Sequence, residues 1–283
     1  MSGTLAGIGL LVGLGVTVLN FLQYSASAER VDQLRSALLH GIPLTVAGAL
    51  GLLYLWFPFQ RVVARLVPVR PGSPVVHLTV VLGLLLVAQQ IGAQVEAGKP
   101  LTIGDLLAQD VPLLILCFAG IGVFVRRTPR QAIERLGLLP PRQKRWWLVA
   151  ILGIGVFIAV AFAIEAVANV VSPSQQKQVS DVTTVLFSHF NNPAAIVFLG
   201  VLAGVVEETL FRGALVPRFG VVISAVLFVA LHTQYAVSFA TLEVFVLGIG
   251  LGWLRVRAGS TLPAMVTHAG YDIAVGFLSL IAK

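Results

Sequence analysis

The sequence predicts an all-α fold, a polytopic membrane helix bundle of about nine transmembrane helices of roughly 20 residues each. Composition is the first observation behind this: 57% of the chain is hydrophobic and 11% charged, where soluble domains carry about a quarter charged residues. The second is the spacing of apolar runs along 283 residues, which leaves no room for a large soluble domain. The third is the distribution of the basic residues that give a net charge of +7. They fall between the apolar runs and form no tract with interleaved aromatics, so they read as a topology signal and not as a nucleic-acid surface.

Taken in order, spans are predicted near 5–23, 37–57, 76–95, 111–125, 147–168, 194–215, 219–236, 239–256 and 262–281. The first run is followed by Ala26-x-Ala28, which resembles a signal-peptidase site. No basic segment precedes that run and it exceeds the usual apolar core of a signal peptide, so residues 1–28 are expected to be retained. Basic loops lie at 58–75 (Arg61, Arg65, Arg70), at 126–146, and around Arg218 and Arg255–Arg257. The 126–146 segment sets Arg126, Arg127, Arg130, Arg135, Arg142, Lys144 and Arg145 against Glu134. The alternate loops are neutral or acidic: Glu29, Arg30, Asp32 and Arg35 cancel, Glu96, Asp105 and Asp110 outweigh Lys99, and Lys177 offsets Asp181. By the positive-inside rule the N-terminus is cytoplasmic, the C-terminus is outside, and the cell membrane is the expected location. Trp146 and Trp147 read as an interface anchor. The lone Cys117 sits in an apolar run and excludes a disulfide framework.

The chain divides by role at the basic segment. Residues 1–145 are N-terminal helices of unassigned role, and residues 146–283 hold nearly all the intramembrane charge. "GVVEETLFRG", residues 204–213, is the densest example. Residues four apart share a helical face, so Arg212 can satisfy Glu208, whereas Glu207 lies about 100° away without a cation one turn on. An ionisable residue at the centre of a span costs about 2.5–3.5 kcal/mol on insertion scales, so Glu207 needs a partner or a task. His232, with Phe228 one turn earlier, and His268, with Asp272 one turn later, are the candidates to meet it. Each is expected in the inner or middle part of its span. A carboxylate, two imidazoles and a second carboxylate converging there form a set able to activate water. Glu165 and Glu243, two further carboxylates within apolar runs, are assigned structural roles.

In order and spacing, Glu207-Glu208-Thr-Leu-Phe-Arg212, Phe228-Val-Ala-Leu-His232 and His268-Ala-Gly-Tyr-Asp272 match the EExxxR, FxxxH and HxxxN/D motifs. Residues 190–283 thereby resemble the CPBP family, the CAAX proteases and bacteriocin-processing enzymes also called the ABI family. The resemblance implies an intramembrane endopeptidase, whose best-studied relatives trim the last three residues from prenylated CAAX proteins. It assigns Glu207 as general base assisted by His232, His268 and Asp272 to the oxyanion, and Arg212 with Glu208 to the shape of the site. Eukaryotic relatives usually carry Asn where this chain has Asp272, and an ionised Asp donates no hydrogen bond.

Other intramembrane chemistries lack their motifs: there is no HExxH, no GxGD and no GxSxG. Glu207, His232, His268 and Asp272 are also a set that could ligate zinc, but the preferred reading needs no cofactor, because a glutamate and water suffice. The partners expected are the bilayer and a peptide or membrane-protein substrate. The alternative from another class is a binding or immunity protein that keeps the scaffold without turnover.

Overall fold

A computed structural model describes residues 2–24, 35, 37–67, 69–95 and 98–281. Ala26-x-Ala28, Glu29, Arg30, Asp32 and Glu96 lie outside the described residues. All regular structure in the described residues is helical: α1 (Ser2–Tyr24), α2 (Ile42–Leu53), α3 (Phe57–Leu66), α4 (Pro74–Gly92), α5 (Ile103–Ile121), α6 (Pro129–Leu136), α7 (Trp146–Val171), α8 (Pro173–Leu186), α9 (Pro193–Glu208), α10 (Val216–Val229), α11 (Phe239–Ala258) and α12 (Leu262–Ile281). A π-helical turn, Thr209–Leu215, joins α9 to α10, and a short 3₁₀ turn, Thr233–Tyr235, follows α10.

Among the described residues six helices are long and apolar enough to cross a membrane, or seven with α2 and α3 taken as one bent span. The all-α membrane bundle therefore stands, and the differences from nine spans have local causes. Where 37–57 reads as one span, the chain turns by 105° before α3, and Pro58 sits at the start of the new helix, where proline costs no hydrogen bond. The runs 194–215 and 219–236 form one continuous 37-residue element, Pro193–Val229. Gly220, at φ 81°, bends it. α5 begins eight residues before the expected 111 because Thr102 and Asp105 close a capping box there.

Two helices fall in segments that hydropathy reads as loops. α6 occupies part of 126–146: Thr128 and Gln131 form its capping box, Gly137 ends it at φ 69°, and Ala132 and Leu136 are buried. α8 is polar on most sides but buries Val179 and Val182.

The chain forms two compact units, Met1–Gln94 with Val226–Val237, and Val95–Ala225 with Ser238–Lys283. In the first, α1 packs on α2 and α2 on α4. In the second, α12 is central and packs on α9, α7 and α11. The α9–α12 contact is set by small residues, as in membrane helix pairs generally. A Cβ at Gly200 would lie 3.0 Å from the Ala269 carbonyl oxygen, and one at Gly204 2.9 Å from the Ala269 nitrogen. Only glycine admits that approach.

Candidate active site

Gly200, Gly204 and Glu208 follow one another at intervals of four along α9, so the face that meets α12 ends in a carboxylate. Glu208 is fully buried. Its Oε1 accepts from Arg212 Nη1 at 2.7 Å and lies 2.9 Å from His268 Nδ1 on α12. Arg212, itself 1% exposed, donates through Nη2 to the Gly248 carbonyl of α11 at 3.1 Å. The pairing of Glu208 with Arg212 expected from helical spacing is thus present, and Glu208 also serves His268.

Arg212 comes from the π-helical turn, whose wider register displaces backbone hydrogen bonds. Neighbouring elements meet the carbonyls involved. Ser224 Oγ donates to Phe211 O at 2.9 Å, Arg135 Nη1 to Gly213 O at 3.3 Å, and Cys117 Sγ to Thr209 O at 3.6 Å. Arg135 lies on α6, outside the spans, and burial with the nearby Arg218 and Arg127 lowers its pKa from the ordinary arginine value. α6 is tied in turn to the connection before α12, where Thr261 Oγ1 donates to Leu136 O at 2.5 Å and Ser260 Oγ to Leu139 O at 2.7 Å. The basic segment therefore braces the turn that carries Arg212.

Glu207 has the opposite fate to its neighbour. Its side chain is half-buried, and its Oε2 is shielded from solvent without a hydrogen-bond partner among the described residues. His268 was a candidate to meet Glu207, but its Nδ1 goes to Glu208. Its Nε2 lies 3.5 Å from Asp272 Oδ2, one turn along α12. With carboxylates at both nitrogens, the ring donates on both sides only as an imidazolium.

Phe228 and His232 belong to the first unit. His232 is not within a span as expected, since α10 ends at Val229 and the residue opens the 3₁₀ turn. Its Nδ1 lies 2.9 Å from the Phe228 carbonyl oxygen, and its ring is 4.8 Å from that of the buried Phe228. A carbonyl only accepts, so in the neutral ring Nδ1 carries the proton and Nε2 is the basic nitrogen. The FxxxH spacing is therefore a backbone-held tautomer as much as an aromatic contact.

No group of three or more His, Cys, Asp or Glu among the described residues is arranged to hold a metal ion. Glu208 Oε1 is shared by two N–H donors, and both His268 nitrogens face carboxylates. Of the other intramembrane carboxylates, Glu243 accepts from Tyr271 Oη at 2.5 Å, which ties α11 to α12, and Glu165 is exposed on α7.

The signal overlooked in the sequence is Gly200-x-x-x-Gly204, which points at the helix face where Glu208 meets α12. Residues 189–274 match the model of the type II CAAX prenyl endopeptidase Rce1-like family. An uncharacterized 24.3 kDa protein of Escherichia coli is 31% identical over 136 residues, covering 43% of this chain and 58% of that protein's length. No solved structure matches the chain. Residues 189–274, which carry all three motifs, are thus similar to the CAAX prenyl endopeptidases, and the chain spans little more than half the length of the curated relative it matches.

Proposed function

We infer that this protein is an intramembrane endopeptidase in which Glu207 activates the attacking water. One observation carries the reading: of two adjacent glutamates, Glu208 is committed to Arg212 and His268, while Glu207 keeps a shielded oxygen without a hydrogen-bond partner among the described residues. A buried carboxylate oxygen without a partner is costly, and a proton acceptor for water gives it a task.

Glu207 takes a proton from water as the oxygen attacks the scissile carbonyl, then delivers it to the departing amine. The family resemblance assigns His232 to assist that step, and in its neutral form Nε2 is the basic nitrogen. His268, anchored through Nδ1 to Glu208, turns its Nε2–H from Asp272 to the oxyanion as charge develops there. The substrate is a peptide or membrane-protein segment that reaches the site from the bilayer. Comparing the protein termini in membranes from cells with the wild-type chain and with Glu207→Gln tests this. Termini that form only with the wild type are expected, and identical terminomes would refute it.

Asp272 is assigned to orienting His268 through its negative charge. Asp272→Asn is expected to lower cleavage about 10-fold or more, the size seen when a histidine loses its carboxylate partner. An Asn variant as active as wild type would instead make residue 272 an oxyanion donor. Assays with and without a chelator belong in the same series, because chelator sensitivity that disappears with Asp272 would move the site to a metal mechanism.

The basic segment 126–146 is assigned to the cytoplasm and the protein to the cell membrane. With Cys117 replaced by serine, a single cysteine at exposed Gln143 is expected to resist an impermeant maleimide in intact cells and to react after lysis. Labelling of intact cells would invert the topology.

A further inference from the structure

We propose that Gln90, in the N-terminal unit and outside the family-matched domain, is a positioning residue for His232. Gln90 lies near the end of α4 and is 5% exposed. Its Nε2 donates to the Ala236 carbonyl oxygen at 2.6 Å across 146 residues of sequence. Ala236 closes the turn opened by His232, its own N–H bonding Thr233 O at 2.9 Å. It does so at φ 48° and ψ −144°. A residue with a Cβ rarely adopts that conformation and persists there only when its surroundings enforce it.

The enforcement is visible from both ends of the turn. At its start, α4 comes close enough to α10 that a Cβ on Gly83 would lie 2.7 Å from Leu227 Cδ2, next to Phe228. At its end stands the Gln90 amide. Between them His232 is bonded through Nδ1 to Phe228 O, and its ring stacks at 6.3 Å and 15° on Tyr235, the residue before Ala236. Releasing the Ala236 carbonyl lets Ala236 leave positive φ, and Tyr235 and the His232 ring turn with it. Gln90 is itself incompletely satisfied: its Oε1 is buried without a hydrogen-bond partner among the described residues. A leucine of similar size would avoid that cost, so the amide is retained for what its nitrogen holds.

This inference rests on the reading of His232 as part of the peptidase site, and it gives α4 a task that the sequence left unassigned. The test uses full-length protein in lipid nanodiscs, with Gln90→Leu, the near-isosteric Gln90→Glu, and Gln90→Leu combined with Ala236→Gly. Two readouts are taken: cleavage of a substrate found in the terminome comparison, and the ring ¹⁵N shifts of His232, assigned by their loss in His232→Gln. Misplacing a reacting group by about 1 Å costs up to about 100-fold. Both single variants are therefore expected to lose roughly 10- to 100-fold in kcat with little change in KM, and to shift the His232 nitrogens. Ala236→Gly should restore part of the loss, because glycine adopts positive φ without strain. Unchanged kcat in both single variants, or unmoved His232 shifts, overturns the proposal. If the wild-type chain cleaves nothing, the peptidase reading falls and the shifts alone decide whether Gln90 holds the turn.

Discussion

Glu207→Gln is expected to lower cleavage by about 100-fold or more while folded protein accumulates as in wild type. The first part follows from removing the general base, a contribution of about 10²–10⁴ in rate. The second follows from the surroundings: Glu207 Oε2 makes no hydrogen bond among the described residues, so an amide of the same shape forfeits none at that oxygen and removes a charge from a position shielded from solvent. Purified variant and wild type are compared for cleavage and for the yield of monodisperse protein. Alanine at His232 or at His268 should also cost most of the activity, and combining either with Glu207→Gln should cost little more, because groups that serve one transition state are not additive. A Glu207→Gln protein that still cleaves would remove Glu207 from the role of base, whereas a wild-type chain that cleaves nothing, with a cellular phenotype that Glu207→Gln leaves intact, would point to the binding or immunity class.

What the sequence disclosed and what it hid separate along physical lines. Glu208 and Arg212 were legible because a helix puts residues four apart on one face, and their 2.7 Å contact is local. His268 and Asp272 were legible as neighbours for the same reason. Which glutamate His268 meets was not, because that depends on how α9 is rotated against α12. Gly200 and Gly204 set the rotation by allowing backbone contact with Ala269. Hydropathy found the long apolar helices but passed over α6 and α8, whose buried faces are only a few residues wide. It also extended α10 over His232, since nothing in "FVALHTQYAV" besides its polar residues announces a turn closed by Ala236 at positive φ. Long-range contacts of this kind, Gln90 with Ala236 above all, leave no periodic trace in a single sequence.

Glu208→Ala is expected to be the most damaging single change to folding. Removing one member of a buried ion pair costs about 3–5 kcal/mol, because the other charge is left without compensation. Arg212 would keep Gly248 O but lose the carboxylate bonded to Nη1, at 1% exposure. His268 would lose the acceptor at its Nδ1 in the same step. Two effects are thus bound up in one residue, and a second substitution separates them. Replacing a buried pair by apolar residues of similar volume is often neutral or stabilising, so Glu208→Leu with Arg212→Met should return thermal stability in detergent to near the wild-type value. Catalysis should not return with it. His268 still lacks the oxygen that orients its ring, and a loss of about 10- to 100-fold, as for other histidines deprived of an orienting carboxylate, is expected to persist. A double variant that is stable and inactive assigns Glu208 to both fold and chemistry. One that is stable and fully active would reduce its contact with His268 to packing, and the orientation of that imidazole would then have to come from Asp272 on α12.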